Sequence, residues 1–274
     1  MTKPAGSASM TRAVLVALAL GALLSACTTQ GTVVPVSGAP DRINPSEESD
    51  AKKRARARLE LASAYYSRGE MTTALDQVKV ALAADPLYGE AYNLRGLIYA
   101  SLGDQALAEE SFKRALQLNA RDADAMHNYA WTLCQQKRYS ESIAMFNQAL
   151  AVPQYRGIAR TLLAQGVCQA YAGQLAESDA SLSRAYELDP SSPFTATNLA
   201  EVTYRRGEYE RARFYIRRVN SQPTVANAQT LWLAARIETK LGNKQGATEF
   251  GMQLRNRFPD SREAALFARG AYDE

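Results

Sequence analysis

The sequence predicts an all-α chain: a solenoid of six stacked helix–turn–helix repeats, finished by a short C-terminal capping helix. Three observations carry that prediction. From about Lys52 onward Ala, Leu and Tyr recur at helical spacing rather than at the alternation of a strand. The pattern reproduces itself with a period of 34 residues, the signature of a repeat architecture. Between the two apolar stretches of most copies stands a single Gly, where a chain reversing direction between helices needs a residue that tolerates positive φ.

In residues 55–88, Leu61, Ala62 and Tyr65 share one helix face, Gly69 makes the turn, Ala74, Val78 and Ala81 form the second helix, and Pro86 closes the unit. Residues 89–122 repeat this with Tyr92, Gly96, Tyr99, Gly103, Ala108, Phe112 and Ala115. Residues 123–156 follow with Met126, Ala130, Leu133, Ser142, Phe146 and Ala149, but Lys137 stands at the turn. A slip of two residues, Gly157 and Ile158, preceded by Pro153, then predicts a change in stacking. Residues 159–192, 193–226 and 228–261 resume the phase with Gly166 and Leu182, Ala200 and Ile216, and Ala235 and Leu254, and residues 262–269 read as the cap. These units resemble tetratricopeptide repeats. The resemblance implies antiparallel helix pairs that bury their apolar faces only by stacking, a right-handed superhelix, and a concave surface lined by the first helix of each pair.

Upstream, Lys3 and Arg12 accompany an apolar run from Ala13 to Leu24 that ends in Leu24-Ser25-Ala26-Cys27. About a dozen residues are too few to span a bilayer, and a basic start, an apolar centre and small residues before the cysteine are the anatomy of a secretory signal. The segment resembles the lipobox of a bacterial lipoprotein. The expected organisation is a signal peptide over 1–26, with Met1 or Met10 as its start, then a lipidated Cys27 and a Gly-, Pro-, Thr-, Val- and Ser-rich tether over 27–50, then the repeat domain over 51–270. Thr28, not Asp, after the cysteine favours the outer membrane, with the domain on its periplasmic face.

The formal charge is +4, and loss of Lys3 and Arg12 with the signal leaves +2, too weak a balance for nucleic acid. The densest basic cluster is Lys52, Lys53, Arg54, Arg56 and Arg58. A solvated first helix with Glu47, Glu48 and Asp50 at its start is the simpler account; contact with phospholipid headgroups near the anchor is the other. With Cys27 lipidated, Cys134 and Cys168 form an even pair in an oxidising compartment, open either to a disulfide or to two separately buried thiols. The register puts both on first helices of adjacent repeats, so a bond between them is within geometric reach.

Catalytic motifs are absent. His127 is the only histidine, and the sequence contains no His-Glu-x-x-His, Cys-x-x-Cys, phosphate-binding Gly-x-x-x-x-Gly-Lys or Gly-x-Ser-x-Gly pattern. No enzyme, metal or cofactor is expected beyond the lipid on Cys27. An enzyme would instead need a compact pocket with perturbed titratable groups. Binding is the expected activity, and the register projects Tyr66, Asn93, Leu97, His127, Trp131, Leu163, Tyr204 and Trp232 into the concave groove. The first six are expected to form one contiguous stripe that takes a protein partner.

The order of features is specific: lipobox, tether, six repeats, Asn128-Tyr129-Ala130-Trp131-Thr132-Leu133-Cys134, Gly166-Val167-Cys168, Gly207-Glu208-Tyr209-Glu210-Arg211-Ala212-Arg213, Leu231-Trp232-Leu233 and Arg257-Phe258-Pro259-Asp260-Ser261. From about residue 20 to 264 the chain resembles the PilF/PilW family of type IV pilus biogenesis lipoproteins. That resemblance implies a pilotin, which helps secretin subunits localise to the outer membrane and assemble into their pore, with the secretin and other pilus assembly proteins as partners. Ala130 and Lys137 depart from the Gly often found in the family at those places. An envelope adaptor holding peptidoglycan hydrolases or an outer-membrane protein assembly machine would use the same anchor and fold.

Overall fold

The computed structural model describes residues 49–272. The signal segment 1–26, Cys27 and the tether up to residue 48 lie outside the described residues. Helices pair in chain order: α1 (Asp50–Ser67) with α2 (Met71–Ala84), α3 (Gly89–Leu102) with α4 (Gln105–Leu118), and α5 (Ala123–Gln135) with α6 (Tyr139–Leu150). The second half follows with α7 (Ile158–Tyr171) and α8 (Leu175–Leu188), α9 (Pro193–Arg205) and α10 (Tyr209–Asn220), and α11 (Ala228–Lys240) and α12 (Lys244–Arg257). The cap, α13 (Arg262–Ala268), follows, and among the described residues there is no strand. The architecture is the expected superhelix of six repeats.

Each pair closes by fitting a small residue on its first helix to a larger one on its second. A Cβ at Gly96 would come within 2.7 Å of the Phe112 ring, and one at Gly166 within 2.6 Å of Leu182. In the sixth repeat the first helix keeps its small residue, Ala235, but Gly251 stands at the large position of α12, and Phe267 of the cap enters the space, so close that an added Cβ would sit 1.9 Å from its ring. The cap is thus a knob for a hole left by the last repeat, which is how a solenoid ends without an open apolar face.

Turns inside the pairs place Gly69, Gly103, Gly173, Gly207 and Gly242 at φ between 72° and 83°. Lys137 adopts the same left-handed conformation at φ 63°, so the third repeat keeps the turn at the cost of strain for a residue with a Cβ. Its neighbour Arg138 pins that turn, donating to Glu109 Oε2 at 2.6 Å and to both carboxylate oxygens of Glu141. The Arg138 and Lys113 side chains hold the Glu109 carboxyl down to about 2.

Leu61 departs from expectation. It is 37% exposed, and the buried face of α1 is Ala55, Leu59 and Ala62. The reason is position in the stack: of its counterparts in the later repeats, Tyr129, Gln165, Leu199 and Ala234 are buried and Arg95 is half-buried. Tyr129 there stacks on Phe112 of the preceding pair. No helix precedes α1 among the described residues to cover Leu61.

Candidate binding cleft

A cleft of about 950 Å³ opens on the concave side of the first three repeats. One wall is α1 and α3, through Leu59, Ser63, Glu90, Asn93 and Leu97; the other is the start of α5 and the connection 151–157 into α7. That connection is the predicted slip. It is three residues longer than the four-residue links at 85–88 and 119–122, and Gln154 turns it with φ 61°.

Local hydrogen bonds hold both walls. Asp122 caps α5 by accepting from the Ala125 N–H at 2.9 Å, and Asn119 Oδ1 accepts from the Arg121 N–H at 3.0 Å. Across the slip, Tyr155 Oη and Thr161 Oγ1 lie 2.8 Å apart, and Thr161 Oγ1 lies 2.9 Å from His127 Nδ1. Arg160 donates to Asp124 Oδ1 at 2.6 Å along the rim. In the α3 wall, Asn93 Oδ1 accepts from Asn128 Nδ2 at 3.1 Å. A primary amide offers two donors and a carbonyl, so this shared bond leaves capacity for the backbone of a docked chain.

Of the six residues expected to form one stripe, the structure brings only Asn93 and Leu97 to this cleft. His127 is 8% exposed, buried edge-on to Phe146 and bound to Thr161. Burial, then the nearby Arg160 charge, lowers its pKa to about 4, so it is a neutral strut behind the wall rather than a groove contact. Trp131 packs beside Cys134, Phe146 and Cys168, Leu163 packs between α7 and α9 near Leu182 and Leu199, and Tyr66 is half-buried with its hydroxyl 3.4 Å from Ser101 Oγ. Large side chains at these register positions fill the gaps between repeats.

Tyr204 and Trp232 are likewise buried. Trp232 stacks on Tyr272, ring centroids 5.3 Å apart, while Arg236 donates from Nε to the Tyr272 carbonyl and lies over the Tyr204 ring. The residues that sequence reasoning missed are those of the slip and rim: Tyr155, Thr161, Arg160, Asp124 and Glu90. The signal was available, since Glu90, Asp124 and Arg160 share one register position on α3, α5 and α7, and the slip was the clearest break in phase.

Cys134 and Cys168 are bonded, their Cα atoms 5.8 Å apart, linking α5 to α7 behind the same wall. Ser142 braces the pair, donating to the Ala130 carbonyl at 2.7 Å and lying 3.3 Å from Cys168 Sγ. In the chain-entropy account a loop of this size contributes about 4 kcal/mol. Among the described residues no group of three or more His, Cys, Asp or Glu is placed to hold a metal ion.

A superhelix of two-helix repeats with a concave cleft defines a tetratricopeptide-repeat protein, and sequences described as tetratricopeptide repeat match residues 48–88, 89–122 and 123–152. The type IV pilus assembly protein PilF of Pseudomonas aeruginosa is 27% identical over 257 residues, spanning 93% of this chain and 97% of that protein. The crystal structure of PilW, described as a widely conserved type IV pilus biogenesis factor, superposes with a TM-score of 0.73 at 32% identity, covering 78% of this chain and 98% of that one. The structure of P. aeruginosa PilF gives the same TM-score at 25% identity, covering 81% of this chain and all of its own. The chain belongs to the PilF/PilW family of tetratricopeptide-repeat type IV pilus biogenesis proteins.

Proposed function

We propose that this protein is a pilotin: anchored by a lipid on Cys27 at the periplasmic face of the outer membrane, it binds secretin subunits and promotes their outer-membrane localisation and multimerisation. The observation that carries the reading is the cleft between α1, α3 and the α6–α7 connection, on a scaffold shared with pilus biogenesis factors. Its walls are fixed by caps, a disulfide and the Tyr155–Thr161–His127 chain, so a partner pays little to order them. The Asn93 amide and the Leu97 side chain on its α3 wall suit an extended polypeptide, whose backbone needs donors and acceptors and whose side chains need apolar contact. Binding, not bond chemistry, is the activity this arrangement supports, and other pilus assembly proteins are further candidate partners.

The test is genetic and biochemical. Deleting the gene is expected to strip secretin multimers from the outer-membrane fraction, and Cys27→Ala is expected to leave an unlipidated protein outside that membrane and the same loss of multimers. Wild-type secretin multimers in the outer membrane of the deletion strain would overturn the reading.

A further inference from the structure

The outer side of the first repeat is built unlike the others. A terminal repeat ordinarily turns a polar face to solvent. Here Leu61 occupies a stacking position at which four of the five later repeats bury their residue, Tyr129, Gln165, Leu199 and Ala234, and beside it on α2 stands Val80, 44% exposed. At the position of Val80 the five later repeats carry Arg114, Gln148, Arg184, Arg218 and Gln253. Leu61, Val80, Ala57 and Ala84 floor a shallow groove of about 490 Å³, and Arg54 and Arg58 form its edge. Lys52 borders a neighbouring hollow with Leu87, the most exposed large apolar residue of this end.

We infer that this N-terminal face is a docking surface for an anionic phospholipid membrane, with Leu61 and Val80 entering the headgroup region and Lys52, Arg54 and Arg58 meeting lipid phosphates. Apolar side chains framed by Lys and Arg, whose aliphatic stems also bury, are the composition of an interfacial membrane contact. The cations exceed the acids on α1: Lys52, Lys53, Arg54, Arg56 and Arg58 stand against Asp50 and Glu60. A second copy is a poor occupant, because a two-fold contact centred on this groove would bring the Arg54 and Arg58 edges of both copies into one interface. The face also lies where the chain enters from the anchor: Ser49 is 22 residues beyond Cys27, within about 75 Å at full extension. The inference rests on the proposed lipid anchor, and it would turn a tether into a second, orienting contact that sets how the cleft faces the periplasm.

The test uses the mature chain, residues 27–274, with Cys27→Ser so that no acyl chain contributes and the result is independent of whether Cys27 is lipidated. Co-sedimentation is expected with vesicles of phosphatidylethanolamine and phosphatidylglycerol and not with phosphatidylcholine alone, and it should weaken as salt rises. Arg54→Gln with Arg58→Gln should weaken binding about 25-fold, at roughly fivefold per cation. Leu61→Gln with Val80→Gln should weaken it about tenfold. Circular dichroism confirms that each variant is folded. Absence of binding to the anionic vesicles, or binding that both folded variants retain, would overturn the inference. A change in oligomeric state with Leu61→Gln and Val80→Gln, without a change in vesicle binding, would overturn it in favour of self-association.

Discussion

The first three repeats and the last three use the same register positions on their first helices for opposite ends. In the N-terminal half those positions border an open cleft: Glu90, Asn93 and Leu97 on α3 face the slip connection across about 950 Å³. In the C-terminal half the same ladder reaches Trp232 and Arg236, where the chain's own Tyr272 stacks on the indole and accepts from the guanidinium, leaving a hollow of only about 300 Å³ beside them. The cap completes the closure by sending Phe267 into the hole at Gly251. The difference teaches that a concave position in a repeat protein is a site only where nothing of the chain itself occupies it.

Trp232→Ala gives the sharpest break of this comparison. It removes a side chain only 5% exposed, in contact with the cap and the tail, and is expected to cost about 3–5 kcal/mol in a denaturant titration. Leu97→Ala, on the open cleft, should cost clearly less. A loss below about 1 kcal/mol for Trp232→Ala would mean that the C-terminal half is not packed shut.

A pH titration of stability sharpens the picture of the cleft wall. Burial holds His127 at about 4 in the folded chain, so between that value and the ordinary 6.5 the unfolded chain binds the proton first. Stability contributed by the neutral imidazole is therefore complete above about pH 6.5 and is lost as pH falls toward 4, by up to about 3 kcal/mol. Denaturant titrations across that window should show the decline, and His127→Gln should flatten it. A decline of equal size in His127→Gln would assign the effect elsewhere.

The smallest effect is at the turn of the third repeat. Lys137→Gly relieves a left-handed backbone that the other five internal turns give to glycine, and should stabilise by about 1 kcal/mol, read as a higher denaturation midpoint. A destabilised variant would show that the Lys137 side chain contributes more than its backbone costs.

Most of the architecture was legible because repeats print their geometry in phase. The glycine turns, the small–large pairs such as Gly96 with Phe112 and the cap at 262–269 all follow from one 34-residue rule repeated along the chain. The cysteine pair was legible to the extent of adjacency, since stacked neighbours bring equivalent positions together; that the two are bonded came from the structure. The site was legible only in part. Register says which side chains point inward but not how much room lies beyond them, so His127, Trp131 and Leu163 read the same as Asn93 and Leu97. Room was made by the slip at 151–157, whose Tyr155 owes its position to a loop conformation that periodicity does not describe.

The central claim is that the open cleft engages the secretin. The most direct measurement is the affinity of purified, disulfide-intact mature protein for the purified secretin subunit, wild type against a folded Asn93→Ala, Leu97→Ala double variant. The account predicts roughly a thirtyfold loss or more, the cost of truncating anchors at the centre of an interface. Wild-type affinity in the folded double variant would contradict it and move the working surface off the cleft.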